Sequence, residues 1–332
     1  MHTLRITRRG VQIALGLLWL LDGALQLQHQ MFSSNFANSV LAPAAQGQPT
    51  IVSGPMHFCI HIILLHPAIF DACFALIQLG LGVAILWKRT TRYGLIASVV
   101  WGLVVWFLGE GLGGMASGHA TLLMGAPGAA VIYALLALAV LPSKKTKSKA
   151  HTQPAYWLAV VWAMLWIGGA IFQLLPGQNS VSDISSMIAG NASGAPGWLA
   201  ALDNHVGNVI NGFGTHTTSM AGMHMTANQM AQMQTQSGSG YWFILLLASV
   251  QLLIGLAIFK SGITRKLAIA LGIILSLCFW FVGQSLGAYF SGLATDPSTA
   301  PLFILLGIAI LGCTDLDQHL AKLYKHIEEK IV

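Results

Sequence analysis

The sequence predicts an all-α, polytopic membrane protein with about eight transmembrane helices in two parallel four-helix repeats. Three observations carry that expectation. Hydrophobic residues make up 55% of the 332-residue chain and charged residues only 8%, whereas soluble domains carry roughly 25% charged residues. The apolar residues gather in runs close to the ~20 residues that cross a bilayer. Finally, landmarks of the first half return in order in the second.

The candidate spans cover roughly 11–28, 67–87, 94–114, 127–142, 157–175, 241–259, 266–288 and 300–313. Basic residues mark one set of connections. Lys88, Arg89 and Arg92 follow the second span, Lys144, Lys145, Lys147 and Lys149 the fourth, and Lys260, Arg265 and Lys266 the sixth. Arg5, Arg8 and Arg9 at one end and Lys322, Lys325 and Lys330 at the other fall on the same side. The positive-inside rule makes that side cytoplasmic. The expected location is therefore a prokaryotic cytoplasmic (inner) membrane, crossed many times, with both termini inside. The net charge of +6 then reports topology rather than nucleic-acid binding. The long connections 29–66 and 176–240 face outward, and their apolar stretches 50–66 and 197–212 read as short helices at the outer surface.

The repeat is visible residue by residue. Trp19 and Gln26 recur 147 positions on as Trp166 and Gln173, and Pro49 recurs as Pro196 at the same spacing. Gln78 recurs 173 positions on as Gln251, so the second half carries an insertion between about 209 and 240. The expected organisation is a first repeat at 1–142 and a basic cytoplasmic linker at 143–154. A second repeat follows at 155–314, with an external Met/His-rich insertion near 213–238, and then an amphipathic cytoplasmic tail at 315–332. The clearest repeated stretch is Trp106 to Thr121, WFLGEGLGGMASGHAT, which returns at Trp280 to Thr295 as WFVGQSLGAYFSGLAT. Glu110 becomes Gln284 and His119 becomes Leu293. Gly109 and Gly113 form a G-x-x-x-G, which predicts close helix packing.

Ionisable groups inside apolar spans are costly and seldom idle. Asp22 lies in the first span with Trp19 and Gln26 on its face, and Glu110 lies near the outer end of the third. Asp22, Glu110 and Gln26 are therefore the candidate catalytic or proton-accepting groups, with Trp19, Trp106 and His119 as candidate cofactor contacts. The competing view is that each carboxylate bonds neighbouring Gln, Trp or backbone and only holds the bundle together. His57 and His61 are one helical turn apart, a usable metal spacing, and His66 follows. The insertion holds His216, Met220, Met223, His224 and Met225, donors that suit soft copper but equally an adaptable Met-rich docking surface. The cysteines Cys59, Cys73, Cys278 and Cys313 form no C-x-x-C pair, which argues against a thioredoxin-type dithiol or a zinc site. No nucleotide-binding loop, serine nucleophile motif or haem-attachment C-x-x-C-H is present.

An apolar helix, then WKRTTRYG or KSGITRK, then a second apolar helix resembles the DoxX/DoxD-like membrane proteins, which are small four-helix proteins. The resemblance implies a tandem duplication of such a bundle. Some relatives of that family are associated with quinone-linked oxidation of sulfur compounds or with thiol redox. No catalytic residue carries over, and WFLGEGLGG and the insertion depart from the family's pattern. The leading expectation is an integral membrane redox protein or respiratory-complex subunit. It would hold a quinone or copper near the outer leaflet, with haem as a third option. A proton- or metal-coupled transporter is the first alternative. A non-catalytic membrane subunit docking an extracytoplasmic partner is the second. The partners would be the lipid bilayer and a membrane or periplasmic redox protein, with no nucleic acid. Whether the chain is an enzyme stays open.

Overall fold

The computed structural model describes residues 7–118, 120–142, 154–192, 195–213 and 240–313, and every regular element among them is helical. His119, the linker 143–153, the Met/His-rich segment 214–239 and the tail from 314 lie outside the described residues. With them lie His216, Met220, Met223, His224 and Met225.

The helices are α1 (Arg8–Leu25), the short α2 (Ser34–Phe36) and α3 (Ala42–Ala45) joined by a π-helical turn, α4 (Thr50–Leu65), α5 (Pro67–Leu86) and α6 (Thr91–Leu108). Next come α7 (Ala129–Ala139), α8 (Leu158–Phe172), α9 (Val181–Ala192) and α10 (Gly197–Gly212). The set closes with α11 (Tyr241–Ala257), α12 (Gly262–Val282) and α13 (Thr299–Leu311). A helix stands at each of the eight expected spans, and α4 and α10 occupy the two outer connections. Three helical stretches are long and apolar enough to cross a membrane: Pro67–Leu86, Thr91–Leu108 and Ile263–Val282. The first helix is as long as the second of these, but its 18 residues include Arg8, Arg9 and Asp22. Two expected spans were drawn too long. The stretches 94–114 and 266–288 stop being α-helix at Leu108 and Val282, because the backbone reverses just beyond.

Packing follows small residues. Gly16 and Gly82 let α1 and α5 approach until an added Cβ on either would crowd the other's carbonyl oxygen. On α11, Gly255 lies as close to Ala163 and Ile167 of α8. Small residues at such crossings allow the backbone contact that drives helix association where no water remains to be expelled. Trp162, Trp166, Tyr133 and Phe303 are fully buried at the centre of the main core. A second cluster of Met31, Phe36, Met56, Ile60 and Ile63 ties the 31–65 region together. Leu17, Val83, Leu253 and Ile274, by contrast, are each more than half exposed on the outside of their helices.

The basic ends are anchored alike in both halves. The Arg9 guanidinium donates to Ile85 O at 3.1 Å, and also to Leu86 O. In the second half, Arg265 Nε donates to Ile258 O at 2.9 Å. Each arginine satisfies orphan carbonyls at a helix C-terminus, at the end of the bundle remote from Asp22 and Glu110.

Candidate functional site

Both signature segments end their helix by the same device. The N–H groups of Gly109 and Glu110 both donate to Val105 O, at 2.7 and 2.9 Å; those of Gly283 and Gln284 both donate to Phe279 O, at 2.8 and 2.9 Å. The chain then turns left-handed at Leu112 and Gly113 (φ 57° and 62°) and again at Leu286 and Gly287 (φ 56° and 70°). An added Cβ on Gly113 would overlap the Pro127 carbonyl. Gly113 is thus a turn glycine, and the G-x-x-x-G reading as a helix-packing motif is corrected: only Gly109 belongs to the helix end. Trp106 Nε1 donates to Pro127 O at 2.7 Å, and Trp280 Nε1 to Pro297 O at 2.8 Å. Trp106 is therefore committed to holding the turn and is not in the cavity lining.

The same turn delivers the residue that differs. Glu110 Oε1 accepts from the Ala130 N–H at 3.0 Å, and Gln284 Oε1 accepts from the Ala300 N–H at 3.1 Å. Each side chain caps the first turn of a short helix, α7 or α13, whose leading N–H groups have no intrahelical acceptor. In the first half the second carboxylate oxygen, Oε2, has no hydrogen-bond partner.

That oxygen belongs to a cavity of about 190 Å³. Helix α1 contributes Trp19, Asp22 and Gln26, α5 contributes Phe74 and Gln78, α6 contributes Trp101, and α7 contributes Tyr133. Cys59 of α4, a free thiol, and Asp296 from the far end of the chain complete the polar part of the lining. Asp22 is 1% exposed and Tyr133 is 1% exposed, so neither side chain reaches bulk solvent. Five polar atoms of this lining lack partners: Asp22 Oδ1, Gln26 Oε1, Gln78 Oε1, Trp101 Nε1 and Glu110 Oε2, while the Tyr133 hydroxyl turns to the Asp22 carboxylate. Buried polar groups are normally paired, because leaving one unpaired costs about 1–3 kcal/mol. Five around one cavity mark a place where a polar ligand could supply the missing bonds. Trp19 is paired, since its Nε1 donates to Ser98 Oγ at 2.8 Å and its ring lies 4.4 Å from that of Tyr133.

The corresponding place in the second half is filled. Gly169 stands where Asp22 does in the first, and an added Cβ there would overlap the Leu122 side chain. Phe303 meets Trp166 in a tilted ring contact at 6.4 Å, as Tyr133 meets Trp19 at 4.4 Å. Leu122 is 4% exposed and takes the space that the first half leaves open.

Of the residues singled out in the sequence, Asp22, Gln26, Trp19 and Glu110 come together here. The histidines do not. His57, His61 and His66 are exposed, because α4 turns Met56, Ile60 and Ile63 inward and its histidines away. Asp71 is buried but lies outside the lining. Among the described residues, no three His, Cys, Asp or Glu side chains gather closely enough to hold a metal, so the expected metal set in the first half is corrected. Sequence reasoning missed Gln78, Trp101, Tyr133 and Asp296 as site residues. Gln78 marks the repeat without signalling a site, and Asp296 lies in the second half, where Gly169 and Gln284 stand in place of Asp22 and Glu110. No family model, curated protein or solved structure matches the chain.

Proposed function

We propose that the chain is a multi-pass inner-membrane protein of two parallel four-helix repeats, with both termini cytoplasmic, and that its first repeat binds a quinone headgroup as part of a membrane redox assembly. The recurrence of the signature turn, its tryptophan bond and its helix cap supports the duplication, and with it the DoxX-like architecture.

One observation carries the ligand assignment: an unpartnered donor, Trp101 Nε1, and several unpartnered acceptors share one aromatic-walled cavity. An apolar cavity of about 150 Å³ accepts benzene. A cavity of about 190 Å³ therefore has room for a substituted six-membered ring. A quinone offers two carbonyl acceptors, which fit the Trp101 N–H and the Tyr133 O–H, the latter turning from Asp22 to the ligand. The corresponding quinol offers two hydroxyl donors, which fit Asp22, Gln26, Gln78 and Glu110. A site with both kinds of free group suits a ligand that changes from acceptor to donor when it takes up two electrons and two protons. Asp22 and Glu110 are the groups able to exchange those protons. The electrons would pass to or from a partner protein of the assembly.

The test is a titration of the detergent-solubilised full chain with decylubiquinone, followed by tryptophan fluorescence. Saturable quenching is expected. Its half-saturation concentration should rise about tenfold or more in the Trp101→Phe, Tyr133→Phe double variant, since two lost hydrogen bonds of about 1 kcal/mol each exceed the 1.4 kcal/mol of a decade. Linear, non-saturating quenching by the native chain would overturn the quinone assignment.

A further inference from the structure

Next to the aromatic cavity lies a second one of about 260 Å³. Its lining is mostly backbone and small polar side chains: Gly113, Gly125, Gly128, Ser298 and Thr299. Three residues border both cavities, namely Glu110, Ala129 and Asp296. The partition between them is thus two carboxylates and a methyl group.

We propose that Glu110 and Asp296 form a proton gate, passing protons between the polar cavity and Asp22 in the aromatic one. This deepens the functional reading by assigning the proton route of the same cavity, but it does not depend on which ligand binds there. Four features of the geometry support it. Glu110 Oε1 accepts from the Ala130 N–H and the Ala129 N–H also turns to this carboxylate, while Oε2 bonds to no side chain inside the partition. Asp296 is held from its own turn, with Oδ1 accepting from the Ser298 N–H at 2.7 Å and Oδ2 from the Thr295 hydroxyl at 2.7 Å. Each of its oxygens keeps a further lone pair for an incoming proton. On the polar side, Thr299 is 2% exposed and its Oγ1 has no partner; on the aromatic side, Asp22 Oδ1 has none. Unpaired polar atoms therefore stand on both faces of the partition.

The other ionisable groups facing the carboxylates are Asp22 of α1, Cys59 of α4, Tyr133 of α7 and Tyr289 beyond α12. Among the described residues, no Lys, Arg or His borders either cavity. A carboxylate locked in an ion pair is a poor relay, and no such lock is present in these linings. The step itself moves only a proton. Asp296 takes it from the water side, passes it to Glu110 Oε2, and Glu110 yields it to Asp22; no electron moves and no bond between heavy atoms changes.

The experiment is a downward pH jump on the full chain in detergent, read by time-resolved infrared spectroscopy. The signal is the growth of the carboxylic-acid C=O band that is absent from Asp22→Asn. Asp296→Asn should slow proton uptake by Asp22 about 100-fold, the low end of what a positioned proton-transfer group contributes. Asn retains an oxygen for the Ser298 N–H, and the Thr295 hydroxyl can accept from its amide. Glu110→Gln provides a second test in a background that Gln284 shows to be compatible with the turn. It should slow uptake to a similar degree. Native rates in both variants would overturn the gate, as would an Asp22 that takes up no proton from the native chain at any pH. A gate that passes this test while decylubiquinone fails to bind would leave the proton route standing and remove the quinone.

Discussion

The substitution Glu110→Gln separates what the carboxylate does for the fold from what it does for the cavity. In the folded chain Glu110 contributes an acceptor to the Ala130 N–H at 3.0 Å. Gln284 makes the same bond to the Ala300 N–H at 3.1 Å in the second half, so an amide satisfies this geometry. Glu110→Gln should therefore cost no more than about 0.5 kcal/mol, the range of a substitution that breaks no specific feature. Glu110→Ala removes the acceptor and leaves the Ala130 N–H orphaned at a residue only 4% exposed, which should cost about 1–3 kcal/mol. The reverse exchange is not neutral. Gln284 Nε2 donates to Leu122 O at 3.3 Å, and a carboxylate in its place would set an acceptor against an acceptor, again at about 1–3 kcal/mol. The assay is equilibrium unfolding of each variant in mixed micelles with increasing dodecyl sulfate. The expected order of stability is native, then Glu110→Gln close behind, with Glu110→Ala and Gln284→Glu well below. A Glu110→Gln variant as unstable as Glu110→Ala would mean the charge itself holds the turn, and the argument that this carboxylate is spared for chemistry would fail.

Two further outcomes follow from the packing. Leu122→Ala should cost about 2–5 kcal/mol, the range for emptying a core leucine site, and leave the first-half cavity's ligand binding unchanged; a loss below 1 kcal/mol in the same unfolding assay would show that Leu122 does not fill the second half. Asp203 of α10, on the outer connection, is fully buried and its carboxyl is pushed up from 3.8 to about 6, chiefly by that burial, with the nearby Ser285 hydroxyl opposing. The folded state thus holds this proton more tightly than the unfolded chain, and its stabilising effect is lost as pH rises from 3.8 through about 6, because there the unfolded state binds fewer protons. Asp203→Asn should therefore be more stable than the native chain near neutral pH, with the gap closing in acid, and unfolding at two pH values checks it. A gap of constant size would refute the assignment.

The all-helical architecture was legible because long apolar runs with sparse charge mark helices directly, and three of them are long and apolar enough to cross a membrane. The pairing of Asp22 with Glu110 was legible for a related reason: a carboxylate in such a run is conspicuous, and its loss in the twin at Gly169 and Gln284 doubly so. The turn after Leu108 was not. WFLGEGLGGM reads as a continuing helix with a packing motif until the Trp106 bond to Pro127 and the left-handed backbone at Leu112 and Gly113 are known. Periodicity cannot register a bond between residues 21 apart, and glycine permits both conformations. The histidines of α4 failed for a different reason. Their spacing put them on one face, but spacing alone does not say which face is turned to the core, and Met56, Ile60 and Ile63 took it.

Asp296 was beyond reach of the sequence because its place depends on how the halves exchange segments. The stretch after the first signature helix crosses to the second half, where the Leu122 carbonyl accepts from Gln284 and Gly283 packs under Leu123. The stretch after the second crosses back, where the Ala294 carbonyl accepts from Gln28 Nε2 at 3.1 Å and Gly292 meets Gln30. This exchange gives each half's cavity a side chain from the other. The first half receives a carboxylate, Asp296, and keeps an open cavity; the second receives a leucine, Leu122, and is filled. The asymmetry therefore does not lie only in the lost acids of the second half. It lies equally in what each half sends across, and a first half expressed alone would hold Asp22 and Glu110 without the group that connects them to water.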